Sequence, residues 1–210
     1  RSVIVFLSLA SMMWGAFAGL RQTNLKRLLA YSSIANAGFL LVGLAVGGQT
    51  GVQAILIYFV IYALGTLGAF AVVLCLRRDG MPVEELADLS GLSKTHPLVA
   101  FAMAILMFSL AGMPPMAGFF GKYFMFFAAV QAGYVSLAVF GVVMSVVAAF
   151  YYLRIVKVMY FDEPLADLDP LPDWGVKAVL AVSSLAMIVI TFVPAPLVDS
   201  ALAAAKGFVT

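Results

Sequence analysis

One charged side chain stands well inside an apolar span of this chain, at the end of the stretch Ser109–Lys122, SLAGMPPMAGFFGK. Lys122 lies roughly 12 Å before Gln131, where the apolar run ends, at the helical rise of 1.5 Å per residue. Snorkelling over that distance is strained. An ionisable residue at membrane depth is by default a candidate for function. We therefore predict that Lys122 transfers protons, and a lysine that only snorkels to the membrane surface is the competing interpretation.

The segment that carries this lysine is too long for one straight transmembrane helix. Leu98–Val130 would extend about 50 Å as a helix, whereas the hydrocarbon core is about 30 Å thick. Pro114 and Pro115 remove two backbone donors, and Gly112 and Gly118 tolerate irregular backbone. We expect a helix, a break near Gly112–Gly118 and a second helix. Carbonyl groups freed at the break carry partial negative charge and are expected to stabilise the ammonium.

The composition is that of an integral membrane protein built of helices. The chain is 64% hydrophobic and 10% charged, whereas soluble domains carry about 25% charged residues. A single cysteine and a single histidine exclude a disulfide framework and a metal-ligand cluster. No glycine-rich phosphate loop follows a strand pattern, so no nucleotide site is predicted. The chain begins with Arg1 and runs directly into an apolar stretch, and we expect it to be a piece of a longer polypeptide.

Six apolar stretches are long enough to span a membrane, and the fourth is the broken one. They cover residues 2–20, 28–46, 52–76, 98–130, 134–153 and 175–193. The predicted connections are a basic loop at 21–27, an uncharged turn at 47–51, a polar connection at 77–97 with a short interfacial helix at 83–89, and an acidic, proline-rich loop at 160–174. A mildly amphipathic tail ends the chain. The predicted fold is all-α, with six transmembrane helices, the fourth broken in mid-membrane.

The charges follow a one-sided pattern. Of the 12 Lys and Arg residues, nine flank the connections after the first, third and fifth spans, within Arg21–Arg27, Arg77–Pro97 and Arg154–Lys177. The positive-inside rule places these three connections in the cytoplasm. All 10 acidic residues lie in connections or the tail. The lysine in the broken span therefore has no acidic partner in this chain, and water, carbonyls, hydroxyls or another polypeptide must contact it.

A few polar residues recur at helical spacing within the second and third spans. Tyr58, Tyr62 and Thr66 are spaced by four residues and share one helix face. They line a polar path beside Lys122, or they form interhelical hydrogen bonds worth about 0.6 kcal/mol each. Asn36, on the second span, either belongs to the same polar path or only packs against neighbouring helices. The sequence leaves both alternatives open.

Two motifs resemble those of the antiporter-like membrane subunits of respiratory complex I, the proton-translocating NADH:quinone oxidoreductase. Arg21–Gly38, RQTNLKRLLAYSSIANAG, resembles their TN-hydrophobic-KRLLAYSSI motif, and Leu106–Lys122, LMFSLAGMPPMAGFFGK, resembles LSLAGIPP-GF-GK. The resemblance covers essentially the whole chain. It implies the C-terminal part of a fourteen-helix subunit, from its ninth helix to its last, including the second inverted repeat. In this family the twelfth helix is broken and carries a channel lysine or glutamate, at the position of Lys122.

The resemblance also implies a division of the chain and a branch of the family. Residues 1–160 would form an antiporter-like repeat of five transmembrane helices, with the broken helix at 98–130. Residues 161–210 would form a cytoplasmic loop, the final transmembrane helix and the tail. Three features favour the branch of subunit N and mitochondrial subunit 2. First, the larger two antiporter-like subunits usually carry a histidine pair and a lysine where Tyr58, Tyr62 and Thr66 stand here. Second, the long lateral helix of the distal subunit is not seen in this sequence. Third, residue 122 is a lysine, where the middle subunit usually has a glutamate. A histidine common near position 36 in relatives is Asn36 here, which argues against proton transfer at that position.

The implied activity is proton translocation coupled to NADH:quinone electron transfer, as a subunit of that translocase. NADH, FMN, iron–sulfur clusters and quinone would be bound by other subunits, with no cofactor or metal site in this chain. The implied partners are other complex I membrane subunits, especially neighbouring antiporter-like subunits, and the lipid bilayer, with no nucleic acid. The implied location is the bacterial inner membrane, as a multi-pass protein. Two alternatives remain, a subunit of a cation/proton antiporter, for which the spans lack a carboxylate pair, and a non-conducting scaffold.

Overall fold

The computed structural model describes residues 1–165, 168–169 and 174–208. The described part is helical apart from connections and one short hairpin, β1 (Arg77–Arg78) and β2 (Met81–Pro82). Its α-helices are α1 (Ser2–Leu20), α2 (Leu25–Val46), α3 (Gly48–Cys75), α4 (Leu92–Thr95), α5 (Pro97–Ala111), α6 (Ala117–Gln131), α7 (Val135–Phe161), α8 (Trp174–Phe192) and α9 (Ala195–Phe208). The predicted all-α architecture is confirmed.

Among the described residues, five helices are long and apolar enough to cross a membrane: α1, α2, α3, α7 and α8. α5 is apolar but shorter. Large apolar side chains such as Phe6, Trp14 and Phe150 are exposed on the outside of the bundle, a surface that lipid would cover. α3 lies at the centre and packs against α2, α5, α6, α8 and α9. The two helices of the predicted broken span therefore both contact this central helix.

The predicted turn at 47–51 is wrong, because one residue makes the connection between α2 and α3. Gly47 ends α2 with a φ of +69°, a conformation that glycine adopts without a Cβ clash, and α3 begins at Gly48. The two helices then cross closely, since a Cβ on Gly51 would lie 2.4 Å from the carbonyl oxygen of Gly43. The glycines that suggested a turn instead permit a close helix crossing.

Two further boundaries differ from the sequence prediction. The fifth span was expected to end near Leu153, but α7 continues to Phe161 because Ile155 and Met159 are buried against the rest of the bundle. The expected interfacial helix at 83–89 is a single 3₁₀ turn over Leu86–Leu89. Within the predicted acidic loop, residues 166–167 and 170–173 lie outside the described residues, as do 209–210 of the tail.

The three basic connections meet at one end of the bundle. The segment before α2 pairs with the segment after β2 through Leu25 N–H to Glu84 O and Leu86 N–H to Thr23 O, both 2.7 Å. Lys26 Nζ lies 2.7 Å from a Glu84 carboxylate oxygen, and this hydrogen bond lowers the pKa of Glu84. Gly91 N–H donates to Val158 O at the end of α7 at 3.2 Å. Because successive spans cross in opposite directions, the connections after the first, third and fifth spans are predicted to lie at the same end.

Candidate functional site

The break between α5 and α6 covers residues 112–116. Gly112 caps α5 in the left-handed conformation, with a φ of +78°. Its N–H donates to the carbonyl oxygen of Ser109 at 2.9 Å, and Met113 N–H donates to Phe108 O at 3.2 Å. Pro114 and Pro115 follow within the break, as predicted. Gly118 does not belong to the break, because it is the second residue of α6.

Gly118 and Ser109 hold the two half-helices together. The Gly118 N–H donates to Ser109 Oγ at 3.0 Å, and the Ser109 hydroxyl donates to Met187 Sδ of α8 at 3.2 Å. A Cβ on Gly118 would lie only 1.7 Å from the Ser109 carbonyl oxygen. The close approach of the first turn of α6 to α5 thus depends on glycine at this position.

Lys122 is buried and its ammonium points back at the end of α5. Its side chain has 6% relative exposure. Nζ donates to Leu110 O at 3.1 Å, to Ala111 O at 3.0 Å and to Ser145 Oγ of α7 at 2.8 Å. Each ammonium proton therefore has one acceptor, and two of the acceptors are the C-terminal carbonyls at the negative end of a helix dipole. The face of the Phe39 ring lies 5.3 Å away, which adds a cation–π contact.

Three of the four polar residues predicted to accompany Lys122 line a small cavity with it. Asn36, Tyr58 and Tyr62 line this cavity together with Ser109 and Lys122. Its volume is about 10 Å³, enough for about one water molecule. The Tyr58 and Tyr62 rings stack with centroids 6.4 Å apart. Thr66, one turn further along α3, is not among the lining residues.

A second and larger cavity opens on the opposite side of the lysine, between α6 and α7. It has a volume of about 690 Å³ and is lined almost wholly by apolar side chains, including Tyr123, Phe127 and Val142. Lys122 and Ser145 are its polar lining residues near the centre of the bundle. The Lys122 side chain thus lines both a small cavity beside Asn36 and Tyr58 and a larger apolar groove.

Sequence reasoning missed two hydroxyl groups of this site. Ser145 contacts the ammonium, and Ser109 joins the half-helices, yet neither was assigned a role from the sequence. Serines also occur elsewhere in the apolar spans, for example Ser136 and Ser183, so residue type alone does not single these two out. In the part of the chain that the structure describes, no group of three or more His, Cys, Asp or Glu residues could hold a metal ion, and none of the ion pairs involves Lys122.

Comparisons with known proteins agree on the kind of protein to which this chain is similar. The family model described as NADH:quinone oxidoreductase/Mrp antiporter, TM, matches residues 1–148. The chain is 53% identical over 206 residues to NADH-quinone oxidoreductase subunit N of Paramagnetospirillum magneticum, covering 98% of this chain and 42% of that protein. It is 54% identical over 207 residues to subunit N of Methylobacterium nodulans, covering 99% and 43%.

A solved structure has the same fold. The chain superposes on a chain of respiratory complex I from Thermus thermophilus with bound aureothin, with a TM-score of 0.82 and 33% identity, covering 94% of this chain and 45% of that one. The membrane antiporter-like fold expected from the sequence is therefore confirmed. The chain spans less than half the length of these relatives.

Proposed function

This chain belongs to the NADH:quinone oxidoreductase/Mrp antiporter transmembrane family, and from that premise we propose that it is part of a proton-channel subunit of respiratory complex I. The relatives named subunit N support that branch of the family. The chain would contribute proton translocation to a translocase whose electron transfer occurs elsewhere. NADH, FMN, iron–sulfur clusters and quinone belong to other subunits in this proposal. The partners are neighbouring antiporter-like membrane subunits, and the location is a bacterial inner membrane.

The architecture in this proposal has six crossings, with α5 and α6 together forming one broken span. Residues 1–160 form the second inverted repeat of the longer subunit, and residues 161–210 carry the loop, the final crossing and the tail. The basic connections that meet at one end of the bundle face the cytoplasm, because cytoplasmic loops carry the excess of Lys and Arg. The close pairing of the segments at Thr23–Leu25 and Glu84–Leu86 supports placing those two connections on the same side.

The observation that carries the function is the environment of Lys122. A buried ammonium held by two carbonyls and one hydroxyl is stabilised without a permanent ion pair, so its proton can leave without separating opposite charges. The side chain also contacts two different cavities. We propose that Lys122 loads and releases a proton during turnover, and that Asn36, Tyr58 and Tyr62, which line the small cavity beside it, are the polar residues nearest its path. Thr66 is the weakest of the proposed path residues, since it lies outside that cavity.

The test compares Lys122→Ala and Lys122→Arg in the full subunit, assembled in its complex in inverted membrane vesicles. Arginine keeps the positive charge but is not deprotonated in proteins. Both variants should lose the proton gradient formed per electron transferred, while the exposed Lys206→Ala control keeps it. Normal pumping by both variants would favour the scaffold interpretation. A gradient driven by added sodium without NADH would favour the cation/proton antiporter.

A further inference from the structure

A buried hydrogen-bonded chain leads away from the Lys122 cavity and joins α2, α3 and α7. Tyr58 Oη donates to Asn36 Oδ1 at 2.5 Å, and Asn36 Nδ2 donates to Tyr152 Oη at 3.2 Å. The Tyr152 and Ser32 hydroxyls hydrogen-bond to each other. Ser32 lies one turn before Asn36 towards the start of α2, and Tyr152 lies near the end of α7. The chain therefore begins at two residues that line a cavity with Lys122 and extends towards the end of the bundle where the basic connections meet.

The orientation of the Asn36 amide is fixed by a backbone group. Its nitrogen lies 2.7 Å from the carbonyl oxygen of Ser32, and a carbonyl oxygen only accepts hydrogen bonds. The nitrogen must therefore face Ser32 and Tyr152, and the oxygen must face Tyr58. It follows that the Tyr58 hydroxyl donates its proton to the amide oxygen, while the Tyr152 hydroxyl accepts from the amide nitrogen.

An amide at this point interrupts proton movement along the chain. A hydroxyl or a water molecule can relay a proton because it accepts one proton on one side and gives up another on the other side. A carboxamide donates and accepts hydrogen bonds, but it is not among the side chains that gain or lose protons near neutral pH.

We propose that the Asn36 carboxamide closes this polar chain to protons, so that the Tyr152 and Ser32 hydroxyls lie beyond the proton path. Lys122 then exchanges its proton without passing it through these two hydroxyls. The inference rests on the proposed proton transfer at Lys122. It assigns to Asn36 the role of ending the proton path on this side of Lys122 rather than extending it towards the basic end.

Tyr152→Phe is the first test, made in the full subunit within its assembled complex. The variant removes the hydroxyl and keeps the ring that packs against Tyr151, with ring centroids 4.6 Å apart. The gradient formed per electron transferred should equal that of the wild type, and of a Ser33→Ala control whose hydroxyl bonds only its own helix, at Leu29 O. A clear loss of pumping in an assembled Tyr152→Phe variant, with Ser33→Ala normal, would overturn the proposal.

Asn36→Asp is the second test, because a carboxyl of nearly the same shape can take up and release a proton. Passive proton entry into vesicles, measured without NADH, should become several-fold faster than in the wild type. Adding Tyr152→Phe to this variant should restore the slow rate. An unchanged leak in the assembled Asn36→Asp variant contradicts the inference. If Asn36→Asp fails to assemble, the double variant Tyr152→Phe and Ser32→Ala replaces it. Pumping at the wild-type level supports the proposal, and a clear loss of pumping contradicts it.

Different results would contradict the proton transfer at Lys122 and the role of Asn36. If Lys122→Ala pumps normally, the proposed function fails, and the inference built on it fails as well. If Lys122→Ala loses pumping but Tyr152→Phe loses it too, the proposed function stands and only the role given to Asn36 is wrong.

Discussion

Gly118→Ala is the substitution whose effect follows most directly from the geometry of the broken helix. The added Cβ would lie 1.7 Å from the Ser109 carbonyl oxygen and 2.6 Å from its carbon, and ordinary contact begins at 3.4 Å. Backbone atoms on both sides make this contact, so no side chain can rotate to relieve it. The first turn of α6 must move away from α5 by about 1.7 Å, from 1.7 to 3.4 Å. Overpacking of this kind typically costs about 1–3 kcal/mol.

The displacement reaches the ammonium because Lys122 lies one turn further along α6. Its hydrogen bonds to Ala111 O and Leu110 O are 3.0 and 3.1 Å long, already near the upper end of the usual range of about 2.7–3.2 Å. A shift of this size breaks both unless the side chain follows. Hydrogen bonds to charged groups contribute about 1.5–3 kcal/mol each, so the ammonium would lose stabilisation on the order of 3–6 kcal/mol.

The measurement has two parts, the amount of assembled complex by native electrophoresis and the proton gradient per electron in vesicles. We expect Gly118→Ala to lower both, and the gradient to fall further than the amount of complex explains. Gly207→Ala is the matched control, since a Cβ there meets no atom within 4 Å, and it should behave as the wild type. Wild-type assembly together with wild-type pumping in Gly118→Ala would refute the account of the half-helix contact.

Two further predictions concern single polar contacts. Ser145→Ala removes the hydroxyl that accepts a hydrogen bond from Lys122 Nζ at 2.8 Å, and it should reduce the proton gradient per electron with assembly intact. Replacement of the exposed Ser136 by alanine is the control and should leave the gradient unchanged. Equal pumping by the two variants would exclude a role for Ser145. Glu84→Gln should lower the thermal stability of the complex near neutral pH, because the Lys26 hydrogen bond depresses the pKa of Glu84 and so stabilises the fold above the unfolded-state pKa. That contribution is lost as the pH falls through the folded-state pKa, so the melting temperatures of Glu84→Gln and wild type should converge in acid, and a difference that persists there would contradict this origin.

The break was predictable from sequence because its causes are local. Pro114 and Pro115 cannot continue the hydrogen bonding of a helix, and Gly112 readily adopts the left-handed conformation that ends α5. The position of Lys122 was equally plain, since a charge within an apolar run needs no tertiary information to be noticed. The contacts between the ammonium and backbone carbonyls were predictable as well, because a helix that ends beside a buried lysine leaves its last carbonyl groups free to accept hydrogen bonds.

The remaining features depend on contacts that sequence spacing does not reveal. Gly118 was assigned to the break because glycine and proline both interrupt helices, but its actual role is a close approach to Ser109. Thr66 shares a face with Tyr58 on an ideal helix, yet the cavity extends along only two turns of α3. Likewise, the glycines after α2 were interpreted as a turn, although tertiary packing of Gly51 against Gly43 makes most of them helical.

Among the residues that the structure describes, Lys122 has no carboxylate partner, in contrast to the cations that form ion pairs elsewhere in the molecule. Arg78 and Asp88, in the connection between α3 and α5, are 2.6 Å apart and partly buried, and breaking a desolvated pair by neutralising one member leaves the other charge uncompensated. Such a contact is suited to holding a fold together and unsuited to releasing a proton. Carbonyl groups and a hydroxyl stabilise the ammonium through dipoles, and they remain neutral when it loses its proton. The neutral acceptor set around Lys122 is therefore compatible with the proposed cycle in which this lysine charges and discharges.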